Sequence, residues 1–155
     1  MSMIKDQWTV ALDDVARACH AAIGVLKRLQ TAIEDTLLDA DALNDVPEQH
    51  EHALAQVEGL IRSHGNLPSD FDPERDLARE AVNTLRESFS ASGTVEILRE
   101  AEEAEEALVS TIAEALSVEE LGPEAEELLN GLGKLAVETG ADLARLRLAA
   151  ILTWA

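Results

Sequence analysis

The chain has 155 residues, of which 46% are hydrophobic, and this size and composition predict one compact domain over residues 1–155. Its 31 acidic and 12 basic residues give a formal net charge of −19. That charge argues against binding nucleic acid or an anionic membrane through a basic patch, and it favours cations or a basic protein as partners. The sequence has no apolar stretch long enough to span a bilayer and no apolar run typical of a signal peptide, so we expect a soluble, cytoplasmic protein.

Helix-forming residues dominate the chain, and no segment shows the alternating pattern of a strand, which predicts an all-α fold. The first predicted helix runs from Gln7 to Leu38. Its apolar stripe is uninterrupted by charge and contains seven residues: Leu12, Val15, Cys19, Ala22, Leu26, Leu29 and Ile33. Cys19, the only cysteine, is interpreted as a small core residue rather than a reactive thiol.

The second predicted helix, Val46 to His64, has histidines at both ends of its apolar face, His50 and His64. Gly65 follows it, and glycine tolerates the left-handed conformation that ends helices. A connection with two prolines then leads to a shorter predicted helix, Pro73 to Phe89.

A third long helix is predicted from Thr94 to Leu116, and two helix orientations fit its pattern. The first places two glutamates in the packing seam, which is Val95, Leu98, Glu102, Glu105, Val109, Ile112 and Leu116. The second rotates the helix, puts both glutamates at the edge and makes a core of Leu98, Ala101, Leu108, Ile112 and Ala115. A carboxylate that faces a bundle interior has to be protonated, paired or bound to a cation, so Glu102 and Glu105 are the main clue to function.

The last predicted helix begins near Pro123, and its stripe is Leu128, Leu132, Leu135, Thr139, Leu143, Leu146 and Ala150. The segment Leu146 to Ala155 is apolar and fits either the bundle interior or a contact with a second copy, so a homodimer is one alternative. Four long helices with one short helix between the second and third predict an antiparallel four-helix bundle.

Several short segments, in this order and spacing, resemble a small bacterial family of uncharacterised ferritin-like four-helix-bundle proteins. The segments are Ala11 to Asp14, Pro47 to Gln49, Ile61 to Pro68 and Ile97 to Ala107, the last of which contains Glu102 and Glu105. The resemblance implies a ferritin-like bundle with a di-metal centre, made of a glutamate on each of two helices and a Glu-x-x-His pair on each of the other two.

This sequence departs from that ligand pattern in three of the four helices. The first helix has no glutamate on its inner stripe, and His20 is the nearest ionisable side chain. The second has Gln49-x-x-His52 instead of Glu-x-x-His, and the last has no histidine, only Glu138 and Asp142 at a suitable depth. The di-metal site is therefore predicted to be degraded or absent.

The sequence leaves three hypotheses for function. The first is residual binding of iron or another divalent cation by Glu102 and Glu105, assisted by His50 and Glu138. The second is a metal-free structural or protein-interaction bundle that acts as an adaptor or dimerisation module. The third is histidine phosphotransfer through His20, for which the chain lacks the lysine that would help to bind phosphate. The sequence contains no pairing of a nucleophile with a base in a pattern that would indicate an enzyme.

Overall fold

The computed structural model of the chain describes residues 6–65, 92–119 and 121–154. Four long helices make up most of this part: α1 (Gln7–Glu34), α2 (Val46–Ser63), α3 (Ser92–Leu116) and α4 (Pro123–Trp154). A short 3₁₀ helix, Asp41–Leu43, lies in the connection between α1 and α2. The described ranges contain no strand, so the all-α prediction is confirmed. The predicted helix Pro73 to Phe89 lies outside them.

Local side chains decide where α1 begins and ends. Asp6 caps its first turn, because its carboxylate accepts a hydrogen bond of 2.7 Å from the backbone N–H of Thr9. That hydrogen bond also lowers the pKa of Asp6. The helix ends at Glu34 rather than at the predicted Leu38, because the backbone N–H and the hydroxyl of Thr36 both donate to the carbonyl of Ile33.

The four helices pack together as a bundle. Helix α1 packs against α2 and α3, and α4 packs against α3 and, over a smaller area, against α2. Trp8 fixes one end of this arrangement: its ring stacks on His64 with the centroids 3.7 Å apart, and its indole N–H donates a 2.9 Å hydrogen bond to the carbonyl of Leu121. Within the described residues, no helix is long and apolar enough to cross a membrane.

The helices bury the apolar stripes that their sequences predict. All seven stripe residues of α1 are buried, and Cys19 is among them with no exposed surface. On α4 the predicted residues Leu132, Leu143 and Ala150 are buried, while Leu128 and Leu135 are only partly covered. The prediction of inward-facing positions is therefore accurate for α1 and displaced by part of a turn at the beginning of α4.

The orientation of α3 lies between the two that the sequence allows. The five core residues of the rotated alternative are all buried, whereas Val95 and Val109 are only partly so. That alternative is wrong for Glu105, which is 1% exposed, and right for Glu102, which lies at the edge. Glutamates three residues apart differ by about 60° around a helix, so one can face the core while the other faces its margin.

Candidate functional site

A buried histidine and a buried glutamate meet in the interior of the bundle. His50 on α2 has no exposed surface, and Glu105 on α3 is 1% exposed. The imidazole Nε2 lies 2.8 Å from Glu105 Oε1 and 3.0 Å from Oε2, and the contact with Oε2 has hydrogen-bond geometry. Because α2 and α3 are not neighbours in the bundle, this pair joins two helices that otherwise hardly touch.

The hydrogen bonds of His50 determine how many protons the pair holds. Nδ1 lies 2.9 Å from the carbonyl oxygen of Val46, which can only accept, so Nδ1 carries a proton. The contact between Nε2 and the Glu105 carboxyl group then needs one further proton, on either the nitrogen or the oxygen. The pair is an imidazolium with a carboxylate or an imidazole with a carboxylic acid, and its net charge is zero in both forms.

The pair belongs to a polar layer that divides the apolar core in two. One apolar cluster extends along α3 from Leu108 and the other ends at Ala101, with Glu105 between them. His50 on α2 and Thr139 on α4 occupy the same gap between the clusters on their helices. We call His50, Glu105 and Thr139 the polar layer.

Two buried oxygens of the polar layer have hydrogen-bonding capacity left. Glu105 Oε1 and the hydroxyl of Thr139 have no hydrogen-bond partner among the described residues. Gly140, the neighbour of Thr139, lies against Glu105, so that a Cβ at Gly140 would be 4.0 Å from the Cβ of Glu105. The polar layer is thus closely packed but not fully satisfied, which is uncommon for buried polar groups.

The second seam carboxylate, Glu102, pairs with an arginine. Arg147 Nε donates a 2.5 Å hydrogen bond to Glu102 Oε2, and its Nη2 lies 3.3 Å from Oε1. The two side chains are about a quarter exposed, at 27% and 21%, so the pair sits at the margin of the core. The hydrogen bond to Glu102 raises the pKa of Arg147, and the guanidinium fork matches the carboxylate in a two-point contact.

The remaining predicted site residues do not join this layer. Glu138 is exposed on α4, and His52 is exposed on α2. Asp142, the other acidic residue considered on α4, pairs with Arg145. Of the four predicted metal ligands, the structure brings together His50 and Glu105. In the described ranges, no group of three or more His, Cys, Asp and Glu side chains is arranged to hold a metal ion.

His20, the candidate for phosphotransfer, is partly buried on α1. Its Nε2 lies 3.1 Å from Glu58 Oε1 on α2, and its side chain is 32% exposed. A carboxylate at this distance repels an approaching phosphoryl group. The carboxylate therefore disfavours phosphotransfer through His20, and the contact itself links α1 to α2.

Cys19 lies beside the polar layer, with Sγ 3.6 Å from the carbonyl oxygen of His50. Burial raises the pKa of this thiol to about 12, and the nearby carboxylates of Glu105 and Glu58 add to the effect. The interpretation of Cys19 as an unreactive core residue agrees with this environment.

The raised pKa of Cys19 predicts a loss of stability at alkaline pH. Below pH 9 the thiol is protonated in both the folded and the unfolded state, and between pH 9 and 12 only the unfolded state releases the proton. At pH 10.5 we expect this group to lower the free energy of unfolding by about 2 kcal/mol. Urea unfolding at pH 8 and 10.5 measures the change, and Cys19→Ala is expected to remove most of it; an equal loss in the variant would contradict the assignment.

Comparison with protein-family models, with curated proteins and with solved structures finds no match for this chain.

Two residues of the site were not among the predicted ligands. Thr139 was predicted to face inward, but its role beside Glu105 depends on the register of α4 against α3, which a single sequence does not specify. Arg147 lies in an apolar segment, and the only signal for its role is that an arginine there must find a partner.

Proposed function

We propose that this protein is a metal-free bundle of the ferritin-like kind, in which internal ion pairs take the place of metal ions, and that it acts by binding protein chains rather than by catalysis. The observation that carries the proposal is the pairing of both seam carboxylates. Glu105 shares a proton with His50, and Glu102 pairs with the guanidinium of Arg147, so each carboxyl group already has a partner.

The chemistry of these pairs opposes metal binding. Metal would have to displace the proton that Glu105 and His50 share, and it would have to compete with the two-point contact between Arg147 and Glu102. The guanidinium would then remain beside the bound cation and repel it. A metal ion gains little from ligands that are already satisfied.

The contacts between helix ends support an antiparallel, ferritin-like arrangement. The beginning of α1 meets the end of α2 through Trp8 and His64, and the end of α1 meets the beginning of α3 through Arg28 and Glu100, 3.0 Å apart. These contacts favour α1 running opposite to both neighbours. Helices α2 and α3 then run in the same direction, so the end of α2 and the beginning of α3 lie at opposite ends of the bundle, as in ferritin-like folds.

Metal analysis tests the proposal. Protein purified without a metal-affinity tag is incubated anaerobically with ferrous iron, desalted and analysed for metal. We expect far less than one iron per chain. As a matched control, Arg147→Ala frees the Glu102 carboxylate, and the rise in retained iron measures how strongly the arginine competes. One or two ions per chain in the wild-type protein would overturn the proposal.

Binding of a single cation at the polar layer is the second candidate. It is favoured by the two buried oxygens without hydrogen bonds, Glu105 Oε1 and Thr139 Oγ1. In that case iron should be retained by the wild-type protein and by Glu102→Gln, and lost in Glu105→Gln.

A further inference from the structure

Helix α4 has a second apolar face, which points away from the core. Four of the six large hydrophobic residues that are strongly exposed in the described part of the chain lie on this helix: Val137, Leu148, Ile151 and Leu152. With 3.6 residues per turn, these four and the small residues Ala141 and Ala144 fall within about 100° of the helix circumference. We call these six residues the outer face. The buried residues Ala136, Leu143 and Ala150 lie roughly opposite.

The exposure of the outer face is too large to be ordinary surface variation. Leu152 is 80% exposed, Val137 58% and Leu148 55%. Single exposed leucines are common on proteins, but a run along one helix marks an interaction surface. A helix that is apolar on two opposite sides needs a partner on each side.

The charge distribution indicates what covers this face. In a chain with 31 acidic residues against 12 basic ones, residues 139–155 contain one acidic residue, Asp142, and two arginines. Asp142 pairs with Arg145, and Arg147 pairs with Glu102, so the charges here are matched within the chain. A basic partner finds no free carboxylate on the outer face itself. A second copy, which would be repelled at most other places by its own negative charge, meets an apolar surface here.

We propose that the outer face of α4 is the contact surface of a homodimer, in which two copies pack α4 against α4 about a twofold axis. The same patch serves both copies, as a twofold contact requires. The face runs from residue 137 to 152, which is about 24 Å of helix. A strip of this length and about 10 Å wide covers less area than the roughly 800 Å² per partner of a stable complex, so the dimer is expected to dissociate on dilution through the micromolar range. This inference rests on the proposed function and names the second copy as its partner.

Sedimentation velocity of the full chain from low to high micromolar concentration tests this surface. The wild-type protein should shift from monomer to dimer. Leu148→Glu places a carboxylate from each copy at the contact and should raise the dissociation constant about 100-fold. Val137→Glu, more than two turns away on the same face, should act in the same direction.

A matched control is available at Leu37, which is fully exposed in the connection after α1. Leu37→Glu makes the same chemical change away from α4 and should leave the dimer intact. Circular dichroism of each variant checks that the fold survives, since all three positions are exposed. A wild-type protein that stays monomeric, or a dimer that Leu148→Glu does not weaken, would overturn the inference. A monomer that retains no iron contradicts only the dimer, whereas a dimer that holds stoichiometric iron contradicts only the metal-free proposal.

Discussion

Replacing His50 by leucine is expected to lower the free energy of unfolding by about 3–5 kcal/mol, because it leaves the carboxyl group of Glu105 buried without its partner. Leucine has a volume close to that of histidine, so little of the loss comes from a cavity. The hydrogen bond from Nδ1 to Val46 disappears as well, but that carbonyl lies within the first turns of α2. Most of the effect therefore reports the unpaired carboxyl group.

The double variant His50→Leu with Glu105→Leu should recover most of this loss. Two apolar side chains of similar volume would join the clusters on either side of the polar layer into one core. Buried ion pairs replaced in this way often leave stability unchanged or improved. Glu105→Gln is the conservative comparison, since its amide can donate to Nε2 of a neutral His50 and should be milder than His50→Leu.

Chemical denaturation of the wild type, His50→Leu, Glu105→Leu and the double variant forms a double-mutant cycle that measures this coupling. If the double variant loses as much stability as the two single variants combined, the histidine and the glutamate act separately, and the account of the polar layer is wrong.

Replacing three glycines inside helices by alanine is expected to raise the free energy of unfolding. A Cβ added at Gly24, Gly59 or Gly131 would meet no atom within 4 Å apart from its chain neighbours and the nearby backbone of its own helix. Each lies inside a long helix, where alanine is favoured over glycine by roughly 0.5–1 kcal/mol. Because they lie on three different helices, we expect the gains to add and the triple alanine variant to be more stable by about 1.5–3 kcal/mol.

Two other glycines provide the control for that experiment. Gly65 and Gly122 have φ angles of 77° and 93°, in the region that side chains disfavour. Alanine there should destabilise the protein by about 1 kcal/mol. Urea unfolding compares both sets; a triple variant that is less stable than the wild type would show that these helix positions are not open.

Residue periodicity was sufficient to predict most of the fold. The α1 stripe follows from spacing alone, and the stop after α2 follows from Gly65, whose positive φ is the conformation that glycine permits. Both features depend on residues close together in the chain. The end of α1 was predicted less well because a single hydroxyl, that of Thr36, takes over the carbonyl of Ile33.

The candidate site was predicted only in part, because it depends on how helices are aligned with one another. The helical spacing marks Glu102, Glu105 and His50 as polar residues on inward-facing positions. It does not predict that one glutamate faces His50 and the other Arg147, since a rotation of α3 by part of a turn exchanges their environments. Whether the protein is ferritin-like, dimeric or cytoplasmic stays a prediction.

Nitrogen-15 NMR of the His50 ring, recorded before and after excess Zn²⁺ as a redox-inert probe, tests most directly whether the polar layer is free of metal. A metal-free polar layer should show a proton on Nδ1, a second proton shared between Nε2 and Glu105, and ring signals that Zn²⁺ leaves unchanged. Displacement of the Nε2 proton by one zinc ion per chain, abolished in Glu105→Gln, would contradict it and make the polar layer a metal site.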